Sequence, residues 1–293
     1  MKPLKKNFKL LIFCFSLFSL LFYIGVNLGS SVTALSKDEC AVHFISIGQG
    51  DASLIEGSDF NILIDAGPDA SAATLIKYLK GHNIKVIDYV IATHPHEDHI
   101  GGMDEIINTF KVNTFIAPKI KNSSTEFTAL IKALKAKALP ITCVKEDSEI
   151  TIDEDDSLHF LYAGPAMAED NLNNYSIVFS FKHKDKVFLF TGDMEKEVEE
   201  KLCAQGQLPK TDVLKVPHHG SSTSSSQSFI NAIQPSLSII SCGMGNDYGH
   251  PNKSTLATLN KINSKILRTD VNGNIIVKVT ENNLLFSTEK ADK

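Results

Sequence analysis

Three histidines and one aspartate lie within six consecutive positions of the chain, from residue 94 to residue 99. Imidazole nitrogens and carboxylate oxygens suit zinc, manganese or iron, and the lack of a cysteine among them favours a hydrolytic over a structural site. Glycines at positions 101 and 102 allow the backbone to turn sharply without crowding a metal. The segment therefore predicts a metal site, whose four candidate ligands are His94, His96, Asp98 and His99.

The elements that must position these side chains are a strand before them and a helix after them. Residues 88–92 have the composition of a short strand, and residues 103–110 have helical spacing. Similar strand-like and helix-like segments alternate from Val42 onward, without a dividing linker, which predicts one α/β domain of helix, sheet, sheet and helix layers. The other predicted strands are 42–47, 52–55, 61–65, 141–144, 158–163, 177–182, 187–191, 213–216, 237–241, 265–267, 275–280 and 283–287, and the other predicted helices are 72–79, 126–139, 195–204, 227–233 and 255–262.

The N-terminal segment carries an export pattern. Four lysines precede an apolar run from Leu10 to Val26, and a Val-x-Ala sequence ends at Ala34, which predicts a signal peptide cleaved after Ala34. An uncleaved membrane anchor is the alternative, because about 17 apolar residues is the lower limit for a membrane span. Residues 1–34 are therefore predicted to be a signal peptide or an anchor, with transient or permanent membrane contact. Residues 35–293 form the predicted functional domain, either extracellular or anchored on the outer face of the cytoplasmic membrane.

Charge and cysteine content restrict the partners. Without residues 1–34, the chain has 25 basic and 34 acidic side chains, a net charge of −9, which argues against broad non-specific binding to nucleic acid. Four cysteines remain, none in a Cys-x-x-Cys pair, so a zinc knuckle is not expected and the thiols are predicted to be free and buried. No feature implies a protein partner.

The histidine segment resembles the hallmark His-x-His-x-Asp-His of the metallo-β-lactamase superfamily. The segments ending in Asp65 and Asp193, and the late segment around His218, are similar to other motifs of that superfamily. Three further segments are most similar to the extracytoplasmic hydrolase domain of ComEC-type competence proteins. The resemblance covers about residues 42–288 and implies a four-layer αββα metallo-β-lactamase fold in a single domain. The matching segments are residues 44–52, 61–67, 93–102, 174–178, 190–193, 213–221 and 248–251.

The resemblance implies two divalent metal ions, Zn²⁺ or Mn²⁺. The first would be held by His94 and His96, and Asp65 would orient a ligand imidazole. Many superfamily members have a further histidine ligand where this chain has Asn174-Tyr175-Ser176, so the first metal is expected to have fewer histidine ligands. The intervening His159 and His183 are expected to be structural or exposed. The second metal would be held by Asp98, His99 and His218, with Asp193 bridging both ions.

A second group of residues is expected to contact the substrate or to orient a ligand. His250, in a Gly-His-Pro loop, would donate a hydrogen bond to a substrate oxygen or a proton to the leaving group. Asp98, besides its role as a ligand, and His250 are the candidate catalytic residues. No function is assigned to His43 or His82. The remaining candidates of this group are Asp65, Asn174, Ser176, His219, Ser221 and Tyr248.

The resemblance implies an exported metal-dependent hydrolase, a phosphodiesterase acting on DNA or another nucleic acid through a water activated by two metals. The alternative substrate is a cell-envelope phosphodiester such as phosphorylcholine on teichoic acid, which the acidic net charge favours. A non-catalytic metal-binding module is the third hypothesis, and the intact set of six implied ligands argues against it.

Overall fold

The computed structural model describes residues 35–165, 170–281 and 283–290. The predicted signal peptide or anchor, residues 1–34, lies outside the described residues. Among the described residues, no helix has both the length and the hydrophobicity to cross a bilayer. The architecture belongs to the compact unit Leu35–Lys293.

The described residues form two mixed sheets. The strands are β1 (Cys40–Phe44), β2 (Ser53–Glu56), β3 (Asn61–Ile64), β4 (Val86–Ile91), β5 (Lys111–Ile116), β6 (Ile141–Thr142), β7 (Ser148–Thr151), β8 (Asp156–Tyr162), β9 (Val178–His183), β10 (Lys186–Phe190), β11 (Val213–Lys215), β12 (Leu237–Ile240), β13 (Lys265–Arg268), β14 (Ile275–Val279) and β15 (Leu284–Thr288). The first sheet has the order β15-β14-β1-β2-β3-β4-β5-β6, and the second has the order β13-β12-β11-β10-β9-β8-β7.

Parallel pairing at the centre of each sheet determines where the functional loops lie. In the first sheet β3 runs parallel to β4, and in the second β10, β11 and β12 are parallel. Parallel neighbours end at the same edge of a sheet, which is where α/β proteins gather their binding loops. Asp65 follows β3, Thr93 follows β4, Asp193 follows β10, and His218 and His219 follow β11.

Helices cover the outer face of each sheet, and an apolar layer lies between the sheets. This layer is rich in phenylalanine, including Phe44 from the first sheet and Phe179 and Phe190 from the second. The Phe179 and Phe190 rings stack with centroids 5.1 Å apart. Burying one such side chain contributes about 1.5–3 kcal/mol. The α-helices are α1 (Ala72–Gly81), α2 (Glu97–Ile100), α3 (Met103–Thr109), α4 (Thr125–Ala136), α5 (Lys196–Gln205), α6 (Gln227–Ile233), α7 (Lys253–Lys261) and α8 (Thr269–Asn272).

Most predicted elements are present, with differences at their ends. The strands predicted at 177–182 and 187–191 are present as β9 and β10 and pair antiparallel, with Lys186 opposite His183. The helix predicted over 126–139 ends earlier, at Ala136, because Ala138 takes a left-handed backbone conformation with φ 50°. The strands β5 and β7 were not predicted, since β5 begins with polar residues and β7 is a polar edge strand held by backbone pairing. Cys40 and Cys242 are free and buried as expected, whereas the free Cys143 is exposed.

Candidate metal centre

The imidazole of His99, at the edge of the first sheet where β3 and β4 end, is held in place by the buried carboxylate of Asp65. Asp65 accepts hydrogen bonds from Thr93 N at 2.8 Å and Thr93 Oγ1 at 2.7 Å. Its Oδ2 also lies 2.8 Å from His99 Nδ1. Because an ionised carboxylate only accepts, Nδ1 of His99 carries the hydrogen, and its Nε2 is left with a lone pair. The carboxylate thus orients the ring and selects its tautomer, as is common behind metal-bound histidines.

Four buried side chains bring their ligand atoms together beside this ring. The ligand atoms of Asp51, His99, Asp193 and His219 all lie within 4.8 Å of one another. His99 Nε2 is 3.2 Å from Asp193 Oδ1, and His219 Nε2 is 3.3 Å from Asp193 Oδ2. The less buried Asp98 reaches the same group, with its Oδ2 3.1 Å from His219 Nε2. Loops from both sheets contribute, so the group exists only in the folded chain.

Asp193 lies between this group and the two remaining histidines of the motif. Its Oδ2 is 3.9 Å from His94 Nε2, and that nitrogen is 3.0 Å from His96 Nδ1. The backbone N–H of Asp193 donates to Ser176 Oγ at 2.9 Å and so holds the residue in position. Its carboxylate therefore has imidazoles on two sides, the arrangement that a carboxylate shared by two metals requires.

The two consecutive histidines after β11 have different surroundings. Both take left-handed backbone conformations, with φ of 51° for His218 and 53° for His219. His219 is buried, and its Nδ1 donates to the carbonyl of Ser241 at 3.0 Å, so its Nε2 faces the cluster. His218 is partly exposed, contacts Thr223 Oγ1 at 3.0 Å through Nδ1, and has Nε2 3.8 Å from Asp193 Oδ2. The structure thus brings His219 rather than His218 into the four-residue cluster.

The charges and the hydrogen bonding at the cluster fit a bound cation. Burial opposes protonation of His219, yet Asp193 and Asp98 raise its pKa to about 10. The pKa of the Asp193 carboxyl is held well below its usual range by His219 and His99, against the effect of burial. Nε2 of His99 and of His219, and Oδ1 of Asp193 and of Asp51, are buried without a hydrogen-bond partner among the described residues. Such a concentration of negative charge and unsatisfied nitrogen and oxygen atoms is what a divalent metal would neutralise.

Comparison with known proteins gives the family. Residues 45–243 match the Metallo-beta-lactamase superfamily. The chain belongs to the metallo-β-lactamase superfamily. It is 32% identical over 258 residues to ComE operon protein 3 of Bacillus subtilis, which covers 82% of this chain and 33% of that protein. Competence protein ComA of Neisseria gonorrhoeae is 27% identical over 244 residues, which is 82% of this chain and 32% of ComA. The chain thus spans about a third of the length of these relatives.

Among solved structures, the metallo-β-lactamase fold protein YhfI of Bacillus subtilis superposes with a TM-score of 0.54 at 12% identity, covering 83% of this chain and 100% of YhfI. This likeness supports the fold alone. The predicted four-layer metallo-β-lactamase fold and the resemblance to competence proteins are confirmed. A metallo-β-lactamase fold implies divalent-metal binding, and the His/Asp cluster is where this chain offers the ligands.

Residues 174–176, where the sequence predicts that a further histidine ligand is lacking, contact the loop that carries Asp193. Ser176 accepts from Asp193 N, and Asn174 Oδ1 accepts from Glu195 N at 3.3 Å. Ser221 Oγ accepts from Thr223 N at 3.2 Å and so contributes to the conformation of the loop after β11. Asn174, Ser176 and Ser221 therefore contact the loops that carry the candidate metal ligands. His159 contacts Asp147, just before β7, at 2.9 Å, and His183 contacts Asp156 of β8 at 2.8 Å.

An exposed loop after β12 borders the cluster, and residues 244–250 are termed the rim below. The Tyr248 and His250 rings are nearly parallel, 14° apart with centroids separated by 5.7 Å. His250 in turn lies 6.4 Å from the ring of His219 at 26°. The Tyr248 side chain is 72% exposed, whereas His250 is half-buried with Nδ1 lacking a hydrogen-bond partner among the described residues. Burial lowers the pKa of His250, and so do His219 and His218.

A buried ion pair beside the cluster was missed by sequence reasoning. Lys215 Nζ lies 2.6 Å from Asp51 Oδ2, and both side chains are buried. A buried lysine needs a paired acid, so Lys215 inside the otherwise apolar β11 was a usable signal. Asp51 itself lies in a segment that resembles the family, but no role was assigned to it. The pairing leaves Asp51 Oδ1 facing the cluster without a hydrogen-bond partner among the described residues.

Proposed function

We propose that this protein is an exported metal-dependent phosphodiesterase that acts on DNA or another nucleic acid. The observation that carries the proposal is the position of Asp193, with His99 3.2 Å from one oxygen and His94 and His219 3.9 and 3.3 Å from the other. A carboxylate with ligands on two sides suits a pair of divalent ions, for which Zn²⁺ and Mn²⁺ are the candidates. When bound, two such ions supply an activated water and stabilise the charge that develops on phosphorus oxygens.

In this proposal each ligand has a defined position. His94 and His96 hold the first ion, and Asp193 is shared. Asp98 and His99 hold the second ion together with His219, which replaces His218 in this role. His219 is preferred because its Nδ1 is bound to a backbone carbonyl and its Nε2 lies 3.1 Å from Asp98 Oδ2. His218, which is also 3.8 Å from Asp193 Oδ2, is left to contact the substrate or to supplement the first ion.

Groups of the chain itself would orient the substrate. Asp65 keeps the ring of His99 in place, and Lys215 holds Asp51, whose Oδ1 has no hydrogen-bond partner among the described residues, beside the cluster. His250 is suited to donate a hydrogen bond to a substrate oxygen or a proton to the leaving oxygen. Tyr248, exposed and parallel to His250, offers a face on which a nucleobase could stack. The similarity to competence proteins also favours a nucleic acid as the substrate.

A cell-envelope phosphodiester, such as phosphorylcholine on teichoic acid, is the second candidate substrate. The net charge of −9 without residues 1–34 favours it, because an acidic surface repels a polyanion more than a zwitterionic headgroup. The exposed ring of Tyr248 would suit a quaternary ammonium as well as a base.

The test combines metal analysis with hydrolysis. Residues 35–293 are purified, freed of metal and reloaded with Zn²⁺ or Mn²⁺, and two ions per chain are expected in the cluster. Hydrolysis is then measured on bis(p-nitrophenyl) phosphate, single- and double-stranded oligonucleotides, and p-nitrophenyl phosphorylcholine, with Asp193→Ala as the control. Metal-dependent cleavage of the oligonucleotides supports the proposal. Cleavage of the choline ester alone supports the second candidate, and no hydrolysis of any of them by metal-loaded protein overturns both.

Export is tested separately. The basic and apolar pattern of residues 1–34 predicts that mass spectrometry of the growth medium finds a chain beginning at Leu35. A full-length chain in the membrane fraction would favour the anchor instead. A full-length chain confined to the cytoplasm would refute export.

A further inference from the structure

A second group, of two histidines and one carboxylate, lies on the first sheet beside the end of α1. The chain leaves β3 at the metal centre and returns through α1, so that His82, which follows α1, lies shortly before β4 begins. The strand β4 then leads back to His94 at the metal centre. His82 thus lies at the opposite end of β4 from that centre, and His43 and Glu56 lie on β1 and β2, which β3 separates from β4.

Three side chains from different elements of the first sheet and of α1's C-terminal end meet beside that helix. They are His43 of β1, Glu56 of β2 and His82, and their ligand atoms lie within 4.8 Å of one another. Glu56 Oε2 is 3.2 Å from His43 Nε2 and 3.7 Å from His82 Nδ1. One carboxylate oxygen therefore faces both imidazoles, whose ring centroids are 4.7 Å apart.

The hydrogen bonds among these three side chains and their neighbours leave one buried ring nitrogen without a partner among the described residues. His43 is buried, and its Nε2 has no hydrogen-bond partner among the described residues, although Glu56 is close. The carboxylate thus lies near the ring nitrogen without the alignment of a hydrogen bond, and the contact to His82 is too long for one. An unsatisfied buried nitrogen is costly, and the three groups converge on a position that a cation would satisfy.

The hydroxyl of Tyr78 influences which nitrogen of His43 carries the hydrogen. His43 Nδ1 lies 2.8 Å from the hydroxyl of Tyr78 on α1, a contact that lets Nδ1 donate its hydrogen and leaves Nε2 as a lone pair. The two imidazoles and the Glu56 carboxylate thus offer their ligand atoms to one common position.

We propose that His43, Glu56 and His82 form a second, independent site for a divalent transition metal, with zinc as the expected ion. Two imidazoles and one carboxylate are a common zinc ligand set, whereas Mg²⁺ and Ca²⁺ prefer oxygen ligands alone. His82 and Glu56 are partly exposed, so an ion can enter from solvent and water can complete its coordination. The bound metal joins β1 and β2 to the end of α1 and thereby stabilises the first sheet against loss of that helix.

The test uses Zn²⁺ alone and variants outside the metal centre. His82→Ala removes a partly exposed ligand, and Glu56→Gln keeps the shape of its side chain. His159→Ala is the matched control, because His159 lies on β8 of the second sheet and pairs with the exposed Asp147. Zinc per chain is measured by mass spectrometry after dialysis against a buffered free-zinc concentration. His82→Ala and Glu56→Gln are expected to bind one ion fewer than the wild type, and His159→Ala the same number. Crystals of the wild type should show anomalous scattering from zinc between His43 and His82.

A thermal readout distinguishes this site from the proposed active site. In the Asp193→Ala background, Zn²⁺ should still raise the melting temperature, and adding His82→Ala should make that rise smaller, whereas adding His159→Ala should leave it unchanged. Equal zinc content in the wild type, His82→Ala and Glu56→Gln, together with no anomalous peak at His43, would overturn the proposal whatever the hydrolytic activity is.

Discussion

The metal cluster and the rim differ in nearly every physical property, although they adjoin. The cluster takes its side chains from the ends of strands in both sheets, and its His99, Asp193 and His219 are almost fully buried. The rim is a loop whose Tyr248 and Met244 are 72% and 77% exposed. Rigid, buried ligands can hold a cation with little reorganisation, whereas an exposed loop can adapt to different substrates. We therefore expect changes in the cluster to remove metal and changes in the rim to alter rates and substrate preference.

The largest effect is expected at the shared carboxylate. Asp193→Ala removes the carboxylate that faces both groups of ligands, so metal content should fall by at least one ion per chain. Activity should fall at least about a thousandfold, the upper range for losing one group that stabilises transition-state charge. Metal analysis and the hydrolysis assay measure the two losses, and circular dichroism should show a retained fold. Wild-type metal content and activity in this variant would remove the basis for the two-metal proposal.

The next effect separates the two consecutive histidines. His219→Ala should lower metal content and reduce activity at least about a hundredfold, because it removes an oriented ligand. His218→Ala should retain the second ion and lose no more than roughly tenfold in activity, since its Nε2 is 3.8 Å from Asp193 Oδ2, farther than that of His219, and its side chain is partly exposed. Titration of each apoprotein with Zn²⁺ gives the comparison. A greater loss of metal in His218→Ala than in His219→Ala would restore the assignment made from the sequence.

The sequence predicts the motif at residues 94–99 but not which of His218 and His219 lies in the cluster. The cluster from His94 to His99 is local, so the residue types and their spacing predict it before any fold is known. The choice between His218 and His219 depends on two successive left-handed backbone conformations and on a carbonyl contributed by Ser241, which follows β12. Neither is encoded in the spacing of the motif.

Asp51 illustrates the same limit for a different reason. Its partner Lys215 lies on the second sheet, far along the chain, and only the packing of the two sheets brings them to 2.6 Å. The fold itself was more predictable, because alternating short strands and helices, together with family motifs, define the layers. Edge strands such as β7 were missed because backbone pairing, not side-chain pattern, holds them.

A smaller effect is expected for the half-buried member of the rim. His250→Ala should keep the metal content of the wild type and reduce turnover of an oligonucleotide by roughly a hundredfold, the scale for losing a positioned proton donor. The loss should be smaller for bis(p-nitrophenyl) phosphate, whose leaving group needs no proton. Loss of an ion in His250→Ala would place His250 among the ligands and would remove the distinction between cluster and rim. Unchanged rates on every phosphodiester would leave His250 without a catalytic role.

The smallest effect is expected at Tyr248, where the rim is most exposed. Its ring lies parallel to His250 and is free on the solvent side, so a base of the substrate could extend the stack. Stacking of one base on an aromatic ring contributes about 1–3 kcal/mol. Tyr248→Ala should therefore raise KM for an oligonucleotide roughly tenfold with kcat nearly unchanged, while Tyr248→Phe keeps the ring and should behave like the wild type. An oligonucleotide lacking the base next to the scissile bond should bind the wild type more weakly but should bind Tyr248→Ala no differently from the intact oligonucleotide. If Tyr248→Ala instead changes KM only for the phosphorylcholine ester, the rim recognises a quaternary ammonium, and the cell-envelope substrate replaces nucleic acid in the proposal.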